Sequence, residues 1–169
     1  IGRMIRTVGD RAPGHVISIC GDIRKKRPFA SMPMADTALR TRPFLKIQDG
    51  CDAFCTYCIV PHARGRSRSM PLEDVLDNIG KLAKAGYREV VLTGIHLGAY
   101  GHDLSPVTNL STVMERIQEL RPIDRVRLSS IEPIEFTQSI LEQAVNSEIF
   151  CRHFHIPLQS GDAGVLKNM

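Results

Sequence analysis

With 169 residues, 43% of them hydrophobic and 24% charged, the chain has the composition of a globular protein with one substantial core, which excludes a disordered tail. A formal charge of +4 and a pI near 8.9 are mildly basic, tolerating a nucleic-acid partner without requiring one. No apolar run nears the roughly 20 residues of a membrane-spanning helix, and Ile1 to Asp10 lacks the apolar centre of a signal peptide, so a soluble cytoplasmic protein with no membrane partner is expected.

In chain order, Ile1 to Thr41 has weak periodicity, prolines at Pro13, Pro28 and Pro33, and one short apolar stretch, His15 to Cys20, with strand character. Residues 1–41 read as a linker and the tail of an upstream domain. Cys20 has no partner at metal-site spacing and reads as a small side chain rather than a ligand. Because the chain begins on Ile1 rather than Met, it is taken as a piece of a longer protein.

After Phe44 to Gln48, a predicted strand, helices and strands alternate. Ser69 is expected to cap a helix whose first turn holds Pro71, Glu73 and Asp74; Leu72, Val75, Leu76, Ile79, Leu82 and Ala83 share one face, and Gly86 ends it. Glu89 to Thr93 is a short apolar run that fits a buried parallel strand. Leu110, Val113, Met114, Ile117 and Leu120 line the next helix, with Thr108 or Asn109 as cap. Arg125 to Ser130 is the third strand and Thr137 to Asn146 the third helix, with Ile140, Leu141, Ala144 and Val145 inward; His153 to Leu158 is the fourth strand. This alternation predicts an α/β fold with a parallel sheet, because each return to a parallel neighbour needs a crossover.

The strands end in polar or glycine-rich loops: the cysteine loop after the first, Thr93 to Gly101 after the second, Ser129 to Pro133 after the third, and His155 to Gly161 after the fourth. In parallel α/β folds ligands sit beyond those carboxyl ends. Each residue also has a plainer reading: turn glycines at 94, 98 and 101, serines satisfying backbone groups, and a hydrogen-bonded core histidine at 155.

Cys51, Cys55 and Cys58 form C-x3-C-x2-C in one short loop, with no fourth cysteine nearby. Thiolates select zinc, copper or iron-sulfur clusters, and three of them leave a metal position open. A zinc site completed by His62, which would stabilise a nucleic-acid-binding module, is one reading. Disulfides fit poorly, since five cysteines is an odd number and nothing indicates secretion.

The loop resembles the signature of the radical S-adenosylmethionine (SAM) enzymes, C-x3-C-x2-C with an aromatic residue before the third cysteine, here Tyr57. Phe44 to Cys51 before it, and Pro61, Ala63-Arg64-Gly65-Arg66 and Arg68-Ser69 after it, are similar to the methylthiotransferases, from about Arg42 to the end. The resemblance implies a partial parallel (β/α) barrel with about four βα units present, residues 42–169 being the N-terminal part of the radical SAM core. It implies that Cys51, Cys55 and Cys58 bind three irons of a [4Fe-4S] cluster, that Tyr57 lies along the SAM adenine, and that Thr93 and Gly94 approach its methionine end. Ser130, Glu132 and Gln159 become contacts to its ribose or amino-acid part. No side chain is assigned a catalytic role.

Val91 to Gly101 with Arg127 to Glu132 looks like the branch acting on threonylcarbamoyladenosine beside the tRNA anticodon. Branches acting on isopentenyladenosine-tRNA or on a ribosomal-protein aspartate usually differ after the second strand and stand as the alternatives within the family. The resemblance further implies an anticodon loop as partner, a flavodoxin-type electron donor, a second [4Fe-4S] cluster in an upstream domain and an RNA-binding domain downstream. Arg64, Arg66 and Arg68 beside the loop would favour a phosphate-rich substrate, although Arg24 to Arg27 also reads as a solvated linker.

Overall fold

The computed structural model describes residue 25, residues 28–30 and residues 41–169. Apart from residues 25, 28–30 and 41, the expected linker lies outside the described residues, and so do the His15 to Cys20 strand and Cys20. Phe29, within that linker, packs against the core and receives the Lys46 ammonium 5.7 Å from its ring centroid.

The first three of the four predicted strands form a parallel sheet. β1 (Phe44–Lys46) pairs with β4 (Glu89–Thr93), with Leu45 opposite Leu92, and β4 pairs with β5 (Arg125–Leu128), with Val90 opposite Val126. Sheet order follows chain order, as a βα barrel winds; a doubly wound sheet would reverse direction at a switch point. Val90, Val91 and Leu92 are all buried, the sign of a central strand covered on both faces.

The first strand stops earlier than its sequence suggests. Ile47 interrupts the ladder, and β2 (Gln48–Asp49) pairs antiparallel with β3 (Arg68–Ser69), so a two-stranded ribbon closes the segment carrying the cysteines. Ser69 therefore does not cap the following helix. It is buried in β3, where its Oγ accepts from the Gly101 N–H at 2.8 Å. Pro71 takes the cap position of α2 (Leu72–Lys84) without a side-chain hydrogen bond. A short helix, α1 (Val60–Arg64), lies between the ribbon strands.

The helical faces follow the sequence with local departures. Val75, Leu76, Ile79 and Leu82 of α2 are buried, as are Leu110, Val113, Met114 and Ile117 of α3 (Leu110–Leu120). The Asn109 side chain caps α3 by accepting from the Thr112 N–H. Leu120 is exposed in the last turn. In α4 (Gln138–Asn146), capped by Thr137, Ile140 and Ala144 are buried but Leu141 and Val145 face outward. The pair at spacing four defines the inner face, and a residue one position on lies about 100° around the helix.

The predicted strand from His153 to Leu158 is a second departure. Its chain runs beside β5 through two isolated parallel bridges, Val126 to Phe150 and Ser130 to His155. Pro157 supplies no N–H to extend a ladder. A last helix, α5 (Ala163–Asn168), is capped by Asp162. Among the described residues no helix is long and apolar enough to cross a membrane.

Ile79 is fully buried in the core cluster. Ile79→Ala is expected to lower unfolding free energy by about 2–5 kcal/mol through lost transfer energy and the cavity left behind, measured by urea denaturation.

Candidate functional site

The site is built at the carboxyl ends of the strands, beginning with Gln48. Its side chain is fully buried in β2, so each of its polar atoms needs a partner. Nε2 donates to the Gly50 carbonyl at 2.9 Å, to Ser67 Oγ at 3.0 Å and, at 3.3 Å, to the Asp49 carbonyl. Oε1 accepts the His96 backbone N–H at 2.8 Å. One amide thus joins the start of the cysteine loop, the return strand and the loop after β4. Gly94 makes room for it: a Cβ there would stand 2.8 Å from Gln48 Oε1.

Asp49, also buried, balances the nearby cations. Its Oδ2 receives Lys46 Nζ at 3.1 Å and Arg68 at 2.8 Å, and its Oδ1 accepts the Gly50 N–H. Burial pushes its pKa up, but the Lys46 hydrogen bond and the charges of Lys46 and Arg68 outweigh it and hold the carboxyl below its ordinary value. Arg68 also donates to the carbonyls of Arg64 and Arg66; it braces the loop, whereas Arg64 and Arg66 keep exposed heads, with Arg66 paired to Asp52 at 2.7 Å.

Cys51, Cys55 and Cys58 carry free, half-buried thiols on this loop. The Cys51 N–H donates to the Gly65 carbonyl and the Cys58 N–H to the Cys55 carbonyl, while Phe54 turns the chain with φ 50°. Burial pushes the Cys51 thiol up, so a bound cation would be needed to hold it as thiolate. Among the described residues no three His, Cys, Asp or Glu side chains converge on a point that a single ion could fill. His62 is exposed, its ring edge-on to Phe54 at 5.8 Å. The four-ligand zinc arrangement is therefore not preformed. A cuboidal cluster takes each thiolate on a different iron and does not ask the sulfurs to meet at one point, so three unpaired thiols on one loop fit it.

The loop after β4 is fastened to the ribbon. The Tyr100 hydroxyl donates to the Met70 carbonyl at 2.7 Å, and the Ser69 N–H donates to Asp103 Oδ2 at 3.0 Å. This presents His96 to the cysteine loop, with Nδ1 3.3 Å from Cys51 Sγ. Its Nε2 lies 2.8 Å from Glu135 Oε1. The Glu135 carboxylate raises the His96 pKa against the opposing effect of burial. A cleft of about 550 Å³ opens here, lined by Asp52, Arg66, Ser67, His96, His102, Asp103 and Glu135 among others.

The residues assigned to SAM by resemblance lie on the cysteine loop itself, as Tyr57 does, and at the ends of the following strands. Ser130 Oγ and His155 Nδ1 are 2.9 Å apart, the Tyr57 hydroxyl donates to Gln159 Oε1 at 3.0 Å, and Gln159 Nε2 reaches Glu132 at 3.5 Å. Thr93 ends β4, where its carbonyl accepts the Ile47 N–H. Tyr57, Glu132 and Gln159 come together; neither they nor Thr93, Gly94 or Ser130 line the cleft beside Cys51. The sequence reading missed Gln48, His96 and Glu135. Gln48 and His96 stood within quoted motifs, but only their contacts give them meaning.

A parallel sheet whose first strand leads, through β2, into a loop of three free thiols has the donor set of a thiolate-bound metal centre. Residues 45–169 match the model of the radical SAM superfamily, and the chain belongs to that family, which implies a [4Fe-4S] cluster and SAM. It is 41% identical over 148 residues to the threonylcarbamoyladenosine tRNA methylthiotransferase MtaB of Bacillus subtilis (strain 168), covering 88% of this chain and 33% of that protein. To the tRNA-2-methylthio-N(6)-dimethylallyladenosine synthase of Clostridium tetani it is 37% identical, covering 79% of this chain and 30% of the relative. The chain thus spans about a third of the length of these curated relatives. Its fold is similar to that of a radical SAM methyltransferase from Kitasatospora setae solved with tryptophan and a SAM analogue, with a TM-score of 0.60 at 19% identity, covering 74% of this chain and 23% of that one.

Gln48→Met, close in shape but without hydrogen-bonding capacity, leaves the His96 N–H and the Gly50 carbonyl unsatisfied. It is expected to cost about 1–3 kcal/mol per stranded group in denaturant unfolding, and to speed amide exchange at His96 selectively.

Proposed function

We propose that the complete protein is a radical SAM tRNA methylthiotransferase that converts N6-threonylcarbamoyladenosine beside the anticodon to its 2-methylthio derivative. The observation that carries this reading is the loop of three free cysteines between β2 and β3, in a chain similar over most of its length to proteins bearing that name. When bound, a [4Fe-4S] cluster with SAM supplies one-electron cleavage of the SAM carbon-sulfur bond, chemistry that belongs to the cofactor. The chain's own residues hold and orient: Cys51, Cys55 and Cys58 ligate three irons, and Tyr57, Thr93, Gly94, Ser130, Glu132 and Gln159 contact SAM.

The exposed heads of Arg64 and Arg66 suit the phosphates of an anticodon loop, whose unstacked bases are what sequence-specific RNA recognition favours. An upstream domain, with residues 1–41 as its tail, would bring the second [4Fe-4S] cluster; residues 42–169 would be the first part of the SAM core, reduced by a flavodoxin-type donor.

Replacing any one of the three cysteines by alanine is expected to abolish iron uptake in anaerobic reconstitution, while His62→Ala keeps it; stoichiometric zinc without iron would reject the cluster. Alanine at Thr93, Ser130, Glu132 or Gln159 is expected to weaken the SAM-induced change in the reduced cluster's EPR spectrum by about 1–3 kcal/mol of binding, and four variants responding like the parent would refute the pocket. Nucleoside mass spectrometry of tRNA from cells lacking the gene decides the substrate. Loss of 2-methylthio-threonylcarbamoyladenosine is the expected result; its persistence, with loss of the isopentenyl counterpart, would move the protein to the neighbouring branch.

A further inference from the structure

Both ring nitrogens of His96 are engaged at the edge of the cysteine loop. Nδ1 stands 3.3 Å from Cys51 Sγ and Nε2 2.8 Å from Glu135 Oε1. The ring has little freedom to leave: the His96 N–H is fixed on Gln48 Oε1, and Glu135 lies against Gly98 so closely that a Cβ at that glycine would stand 2.6 Å from the Cβ of Glu135. The histidine side chain is only 17% exposed and the glutamate 16%, so water competes weakly for either contact.

We propose that His96 is a positioning residue for the metal centre, donating its Nδ1–H to the Cys51 sulfur and thereby making the cluster easier to reduce, with Glu135 fixing the ring from the far side. This rests on the reading of Cys51, Cys55 and Cys58 as ligands of a four-iron cluster. A metal-bound thiolate only accepts, so the proton of the contact sits on Nδ1. The Ala53 N–H, 3.4 Å from the same sulfur, is a weaker second donor. Hydrogen bonds to cluster sulfurs are among the means by which proteins set cluster potentials. Reduction adds one electron, taken from an external reductant, and breaks no bond. The reduced cluster carries more negative charge on its sulfurs, so an N–H aimed at one of them stabilises that state more than the oxidised one.

A purely structural histidine would fill the same gap and leave the potential unmoved. The test uses this chain after anaerobic reconstitution, with iron and sulfide content measured first and the midpoint potential then taken from an EPR-monitored redox titration with dithionite. His96→Phe is expected to keep its cluster but titrate at a more negative potential, and His96→Gln, which returns an amide N–H, to recover part of the shift. In the parent labelled with ¹⁵N-histidine, pulsed EPR should show a weak nitrogen coupling to the reduced cluster that His96→Gln lacks. A fully loaded His96→Phe chain at the parent potential overturns the proposal. If His96→Phe fails to load, absence of the nitrogen coupling in the parent overturns it instead. A parent that takes up no four-iron cluster removes the cluster reading and this proposal together, whereas a loaded parent with no histidine effect removes this proposal alone.

Discussion

The buried amide of Gln48 is the contact on which the arrangement of the site depends. Two segments far apart in sequence, the cysteine loop and the loop after β4, must lie side by side; Leu97 and Tyr100 anchor the second in the core, and the Gln48 amide joins it to the first. A side-chain amide offers two donors and an acceptor with two lone pairs, and in Gln48 both ends are used, toward Gly50 and Ser67 on one side and His96 on the other. In a dry position such bonds gain strength and cannot be traded for water, so the two loops are locked in one relation.

Charge around the loop is arranged on the same logic. Asp49 gathers Lys46 and Arg68 at the rim of the core, which fixes the root of the loop, while Arg66 and Asp52 meet further out at exposed positions, where an ion pair contributes little to stability. The inner contacts of Asp49 brace the root of the loop, and the outer pair lies where solvent reaches it. That gradient from braced to exposed explains how a loop of exposed residues can present three thiols in a defined order.

The sheet supplies the platform. Strands in chain order with crossover helices bring every strand's carboxyl end to one edge, so loops following β1, β4 and β5 are neighbours whatever their sequences. Ribbon pairing of β2 with β3 closes the base of the cysteine segment, and Tyr100 and Ser69 tie the next loop to it. Arg66 and His102 line the cleft at this rim.

Much of this was legible in the sequence because it is local. The spacing of Cys51, Cys55 and Cys58 needs no partner to be recognised, the apolar faces of α2 and α3 follow from a 3.6-residue period, and the run Val90, Val91 and Leu92 announces a strand buried on both faces. Tertiary structure decided what depends on residues distant in sequence. Ser69, locally a good helix cap, is instead taken by β3, because pairing with Gln48 and accepting from Gly101 satisfies more buried backbone than a cap would. His153 to Leu158 has strand-like residues yet forms a single bridge, His155 to Ser130, and Pro157 has no N–H to extend it. Gln48 and His96 stand inside motifs and Glu135 in none, but no motif pairs them: a hydrogen bond between positions 48 residues apart is fixed by the folded path of the chain, and only that path gives these three residues a common place.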